Sequence, residues 1–291
     1  MTNLRSIEGG HSPKHQAPLV ISVTSGKGGV GKTLSTVNMG VAFKKMGHSV
    51  LILDGDFGLA NVDIVLGIKA KHNIRDVLDG NAALKDIIVE GPMGLKIIPS
   101  GSGVSSLTNL SNVQRQQLLD QVSTFEEQFD ILLIDTGAGI GENVLQFNAH
   151  SDEIVVVTTP EPHAMTDAYA LIKVMSENYE NKKYNLLVNQ TRSTEEGVKI
   201  YERISAVAER FLKADITYLG NVPIDPQVSK SVMQRKAASE QSTFTLAGQA
   251  WNKMALSLVQ NSKHKMLNQD VQDFWRNLLW SENKIESHLG L

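Results

Sequence analysis

Seven short apolar runs punctuate the chain: PLVISV (18–23), SVLILD (49–54), LKIIPS (95–100), DILLID (130–135), EIVVVTT (153–159), YNLLVN (184–189) and ITYLGNV (216–222). Their near-continuous apolar, largely β-branched character predicts strands buried on both faces. Between most of them the apolar residues recur every three or four positions, as in NVQRQQLLDQVSTF and AYALIKVMSENY, which is the period of a helix with one buried side. Strand and helix in alternation imply right-handed βαβ units and a mainly parallel sheet covered by helices. The expected fold is therefore α/β, with its functional groups at the carboxyl ends of the strands.

With 291 residues, 41% of them hydrophobic, the chain can bury the core of one large domain. Residues 1–17, MTNLRSIEGGHSPKHQA, mix Gly, Pro, Ser and His without period and are expected to form a flexible tail. The formal charge of −3 gives no global basic field for nucleic acid or anionic membrane, so any such affinity must be local. Cys is absent, which removes disulfides, thiolate metal sites and iron–sulfur clusters from consideration. No run approaches the roughly 20 apolar residues of a membrane span, and a soluble, cytoplasmic chain is expected.

The first run leads straight into GKGGVGKT, residues 26–33. Gly26, Gly31, Lys32 and Thr33 fit the phosphate-loop pattern G-x-x-x-x-G-K-[ST], in the strand-to-helix context that gives it meaning. Backbone N–H groups of Gly28, Gly29, Val30, Gly31, Lys32 and Thr33 are expected to cradle the α- and β-phosphates. Lys32 would reach the β/γ oxygens and the Thr33 hydroxyl would bind Mg²⁺. The second lysine of the loop, Lys27, is surplus to that task.

Two further strand ends carry acids. LDGDFGLANVD places Asp54 and Asp56 after the second run, where two carboxylates beside phosphates are costly unless a cation and a water use them. LLIDTGAGIG ends a hydrophobic run on Asp135, the Walker B arrangement, so Asp135 is expected to hold Mg²⁺ directly or through water. Gly137 and Gly139 free the backbone near a γ-phosphate and make residues 136–141 a candidate switch. The one Asn-Lys pair, NKKY at 181–184, precedes its strand and lacks the Asp of a guanine-binding motif, which favours adenine and hence ATP.

The string K-G-G-x-G-K-T resembles the deviant Walker A family, which includes MinD, ParA and FlhG. In that family the early lysine reaches the partner's phosphates, so the resemblance implies an ATP-sandwiched homodimer in which Lys27 senses nucleotide in the other subunit. The same match implies that Asp56 orients and activates the attacking water, that Asp54 lies near the Mg²⁺ shell, and that Asn189, Pro223 and Asp225 frame the adenine. DGDFGLANVDIVLGI, GPMGLKIIPSGSG, DTGAGIGENVLQF and TTPEPHAMTDAYALIK are similar to FlhG, also called FleN or YlxH, over roughly residues 18–236. This resemblance implies an ATPase that regulates flagellar number and placement, with partners such as FlhF, C-ring proteins or a flagellar transcription regulator. A MinD-type division-site regulator and a ParA-like partition ATPase are the alternatives. Residues 1–17 carry no D-Q-A-x-x-L-R activator motif, and His163 and Ala164 stand where the family more often has Thr and Ser.

The segment from about Ser239 is predicted to be wholly helical. In MLNQDVQDFWRNLLW, Leu267, Val271, Phe274, Trp275, Leu278 and Leu279 form one stripe, with Lys263 and Lys265 just before it. With the resemblance, this predicts an amphipathic membrane-targeting helix and tail over 263–291, following an ATPase domain over 18–262. A helix that simply packs on the domain would show the same stripe; docking in the monomer and release to the inner face of the cytoplasmic membrane in the ATP dimer would reconcile the two. The pairs Lys182–Lys183 and Arg235–Lys236 are too few for a nucleic-acid surface, so none is expected.

Overall fold

The computed structural model describes residues 18–57, 62–101, 110–123, 129–179, 182–212, 214–241, 245–262 and 271–280. The expected tail, Lys263, Lys265, Leu267 and residues 281–291 lie outside this set. The first apolar run forms β1 (Leu19–Ser25), buried throughout, and the glycine-rich loop hands it to α1 (Lys32–Lys45). Next come β2 (Val50–Gly55), α2 (Val62–Leu66), α3 (Ile74–Leu78), α4 (Leu84–Ile87), β3 (Val89–Glu90), β4 (Lys96–Ile98) and α5 (Asn112–Ser123). The central part contains β5 (Ile131–Ala138), α6 (Glu142–His150), β6 (Glu153–Thr158), α7 (Pro162–Asn178), β7 (Lys183–Thr191) and α8 (Thr194–Leu212). The chain continues through β8 (Asp215–Pro223), α9 (Pro226–Met233), α10 (Ala238–Gln241), α11 (Leu246–Ser262) and α12 (Val271–Trp280).

The eight strands form one sheet in the order β3-β4-β2-β5-β1-β6-β7-β8. Every neighbouring pair is parallel except β3 and β4. Each of the seven predicted runs overlaps a strand, though of 95–100 only Lys96–Ile98 is one; β3, two residues long, was not expected, because two residues show no period. Alternate residues of each strand feed opposite faces. Ile21, Val23 and Leu133 pack with α1 and α11, whereas Val20, Leu132 and Ile134 pack with α3, α5 and α12. A third cluster joins β6 and β7 to α7 and α8.

In α12, Phe274, Trp275, Leu278 and Leu279 are buried in the same cluster as Leu118, Leu119 and Val122 of α5 and Phe147 of α6. These four residues of the stripe predicted to meet a membrane therefore form an internal face here, covering apolar side chains of α5 and α6. The opposite face keeps an exposed Asp273–Arg276 ion pair at 2.9 Å. Among the described residues no helix is long and apolar enough to cross a membrane.

If α12 docks as described, Trp275→Ala lowers the unfolding free energy in lipid-free buffer by about 3–5 kcal/mol. Urea denaturation measures this. A loss below about 0.5 kcal/mol, typical of a surface substitution, would contradict the docked position.

Candidate functional site

The register of three strands assembles the site. Parallel pairing sets Val23 of β1 and Asp54 of β2 each opposite Asp135 of β5, so the loop that leaves β1 starts beside both acids. To reach α1 the loop must turn back over the strand end, and Gly29 (φ 80°) and Gly31 (φ 89°) supply the left-handed conformations. Gly26 meets a different limit, since a Cβ there would lie 2.1 Å from the Asp167 carbonyl oxygen of α7. Only glycine lets that helix touch the loop.

Asp135 is fully buried and receives three side-chain donors from α1. Lys32 Nζ donates to Oδ1 at 3.1 Å, Thr33 Oγ1 donates to Oδ2 at 2.6 Å, and Thr36 Oγ1 donates to Oδ1 at 3.1 Å. A buried ion pair is tolerated when its remaining lone pairs are satisfied in this way. The same groups suit a phosphate ligand: Lys32 and the amino end of a helix present positive charge. Thr33 and Asp135 present hard oxygens of the kind Mg²⁺ takes.

Asp54 is equally buried, and its carboxylate accepts the Asp56 N–H at 3.1 Å and the Val62 N–H at 3.3 Å. It therefore shapes the exit from β2 as well as adding charge beside Asp135. Among the described residues no group of three or more His, Cys, Asp or Glu converges as a metal cage. That fits Mg²⁺, which commonly takes only one or two protein carboxylates and fills its shell with phosphate and water. Asp56 overlooks the candidate switch: a Cβ on Gly137 would lie 3.8 Å from Asp56 Oδ1. The Asp56 carbonyl accepts the Ser100 hydroxyl at 2.9 Å, and Gly139 N–H ties the far side of the switch to the Ser25 carbonyl at 2.8 Å.

Lys27 stands apart from Asp135. Its ammonium pairs with Glu161 Oε1 at 2.6 Å, on the half-exposed surface where Glu161 starts α7. The hydrogen bond from Lys27 holds the Glu161 carboxyl below the usual carboxylate range. His163, a departure noted from the sequence, falls in the first turn of that helix.

The predicted adenine residues have varied surroundings. Asn189 Nδ2 donates to the Val30 carbonyl at 2.8 Å, and it lies 2.2 Å from where a Cβ on Gly31 would stand, so it is fastened to the phosphate loop. Pro223 ends β8 opposite Thr191, two residues beyond Asn189 on the neighbouring strand. Asp225 uses its carboxylate to accept Gln227 N–H at 2.9 Å and Ala247 N–H at 3.3 Å, which fixes the starts of α9 and α11.

Sequence reasoning missed Thr36, Glu161 and two residues of α6. The signal for Thr36 was its place one turn after Lys32 on the same helix face; Glu161 left none, since its partner is 134 residues away. Phe147 packs under Gly55, where a Cβ would lie 2.9 Å from its ring. Asn148 Nδ2 donates to Thr24 Oγ1 at 3.2 Å, and the Thr136 hydroxyl meets the same oxygen at 3.1 Å. Thus α6, which begins where the switch ends, touches both acid-bearing strand ends.

A family model described as "ParA: NUBPL iron-transfer P-loop NTPase" matches residues 16–259. The chain belongs to the ParA family of P-loop NTPases. The antiactivator FleN of Pseudomonas aeruginosa is 39% identical over 221 residues, 76% of this chain and 79% of FleN. The flagellum site-determining protein YlxH of Helicobacter pylori is 34% identical over 264 residues, 89% of each chain. Among solved structures, MinD of Pyrococcus horikoshii in complex with Mg-ADP aligns with a TM-score of 0.68 at 25% identity, covering 85% of this chain and 98% of that one. This chain has no cysteine and so offers no thiolate ligand for iron.

Removing the hub should be costly even without nucleotide. Asp135→Ala leaves the Lys32 cation buried and unpaired and is expected to destabilise the protein by about 3–5 kcal/mol, read from urea unfolding. The double variant Asp135→Ala/Lys32→Met should recover part of that loss, because no charge is then stranded.

Proposed function

We propose that this ParA-family chain is an ATP-hydrolysing, ATP-dependent dimerising switch of the FlhG type, regulating flagellar number and placement at the inner face of the cytoplasmic membrane. The observation that carries the reading is the similarity to FleN and YlxH across most of the chain, together with a phosphate loop that holds two lysines in different settings. Lys32 is buried against Asp135 and serves its own loop. Lys27 is on the surface in an ion pair of the kind typically worth less than about 1 kcal/mol, so it exchanges Glu161 readily for a phosphate of a second subunit.

Each residue then has a task. The N–H groups of Gly28 to Thr33 bind the α- and β-phosphates of ATP, and Lys32 leaves Asp135 for the β/γ oxygens. Thr33 and Asp135 hold Mg²⁺, with Asp54 behind them; the ion, when bound, neutralises charge on the phosphate oxygens. Asp56 orients a water and accepts its proton as the water attacks. Asn189, Pro223 and Asp225 frame the adenine. Movement of segment 136–141 passes to α6, and α6 packs against α12, so nucleotide state biases whether α12 stays docked or turns its stripe to lipid.

Partners of this switch are flagellar proteins: FlhF, C-ring components or a flagellar transcription regulator. A MinD-type regulator of the division site is the second reading, favoured by the MinD structural likeness.

Sedimentation of the Asp56→Ala protein with phosphatidylglycerol-containing liposomes under ATP and under ADP tests the switch. We expect co-sedimentation under ATP alone, lost when residues 263–291 are removed from a variant shown to bind ADP normally. Lipid binding indifferent to nucleotide, or ATP-dependent binding to DNA in place of lipid, would overturn the proposal.

A further inference from the structure

A groove of about 590 Å³ runs along the outer edge of β8, between the start of α8 and the length of α11. As the last strand of the sheet, β8 pairs with β7 on one side, and among the described residues no strand pairs with the other. Tyr218, Gly220 and Asn221 lie along the strand, while Ala250, Lys253 and Met254 belong to the helix wall.

An open edge invites unwanted pairing, and β8 limits it with a bulge. Leu186 pairs with Tyr218 and the next residue, Leu187, with Gly220, so Leu219 is left over. Gly220 has φ 149°, and a Cβ on it would stand 3.1 Å from Met254 Cγ, so glycine keeps the strand close to the helix. The edge that remains is short. From Leu246 to Ser257, the helix residues that line the groove, α11 rises about 16 Å at ~1.5 Å per residue. That length matches about five residues of extended chain at ~3.3 Å each.

Charge selects the occupant. Arg192 and Lys253 line the groove, no Asp or Glu does, and neither cation has a carboxylate partner among the described residues. Glu196, the near acid, accepts the Arg192 backbone N–H at 2.6 Å. Two cations without an ion-pair partner among the described residues thus flank a strand edge in a chain whose net charge is −3. We propose that this groove docks a short, extended, acidic segment of a partner protein, which adds to the β8 edge through main-chain hydrogen bonds and sets its carboxylates against Arg192 and Lys253. At its end the groove meets the proposed adenine frame at Pro223, but Arg192, Lys253 and Ala250, which the proposal uses, are not among the residues assigned to nucleotide.

The test uses the full chain and a labelled seven-residue peptide alternating Val and Glu, with its Val–Lys counterpart as control. Fluorescence anisotropy should show saturable binding of the Glu peptide only. Hydrogen exchange should slow at Leu219–Asn221. Binding should weaken at least tenfold in Arg192→Glu/Lys253→Glu and in the groove-filling Ala250→Trp, both with an unchanged urea unfolding midpoint to show an intact fold. Absent binding, equal binding to both variants, equal binding of the Lys peptide, or protection elsewhere overturns the proposal. So does self-association that the same variants abolish, which would give the groove to a second copy of the chain.

Discussion

The pairing of Lys32 with Asp135 ties the sheet to its first helix, and most of the site follows from it. Neither group tolerates burial alone; a lone ion in a low-dielectric interior costs several kcal/mol, and removing one partner strands the other. Thr33 and Thr36 complete the cage, so α1 is held at Asp135 by three side chains at once. That anchoring fixes where the loop lies, which in turn demands glycine at 29 and 31 and brings Asn189 against the loop backbone. In the absence of phosphate the carboxylate is the anion that the lysine is built to meet. In the proposed nucleotide complex Lys32 would exchange this carboxylate for phosphate, and a cation would have to take its place at Asp135.

Parallel strands make this economical. A parallel sheet aligns strand ends, so Asp54, Asp135 and the start of the phosphate loop come side by side although they are distant in sequence. The helices after those strands inherit the geometry. Because α6 follows β5 through the switch and presses Phe147 beneath Gly55, any shift at the acids acts on a packed aromatic ring. Packed side chains change between discrete arrangements more readily than they deform, which makes α6 a suitable transmitter to α12.

What the sequence made legible was local. Strands announced themselves as apolar runs, and the phosphate loop and Asp135 lie within single motifs whose spacing is fixed by covalent geometry. The contacts that were hidden span many residues: Lys27 to Glu161, Asn189 to Val30, and α12 to α5. No periodicity encodes them, because each depends on which strands become neighbours. The stripe of α12 was read correctly as amphipathic, but amphipathicity names a face and not its partner. An apolar groove in the same molecule and the boundary of a bilayer satisfy Phe274 and Trp275 by the same physics.

That equivalence is what the proposed switch would use. Burying its four large apolar side chains contributes roughly 1.5–3 kcal/mol each, in the protein or in the acyl region of a membrane. Leaving one for the other therefore costs little for the helix itself; the penalty falls on Leu118, Leu119 and Val122 of α5, which lose their cover. Reversing a two-state population from 1:99 to 99:1 takes about 5.5 kcal/mol of differential binding, the amount that the proposed nucleotide-dependent switch would have to supply. A longer or more apolar stripe would hold one state too firmly for nucleotide to reverse, and a weaker one would leave the α5–α6 groove bare in both. Phe274, Trp275, Leu278 and Leu279, the buried part of the stripe among the described residues, set the cost that the proposed displacement of α6 would have to meet.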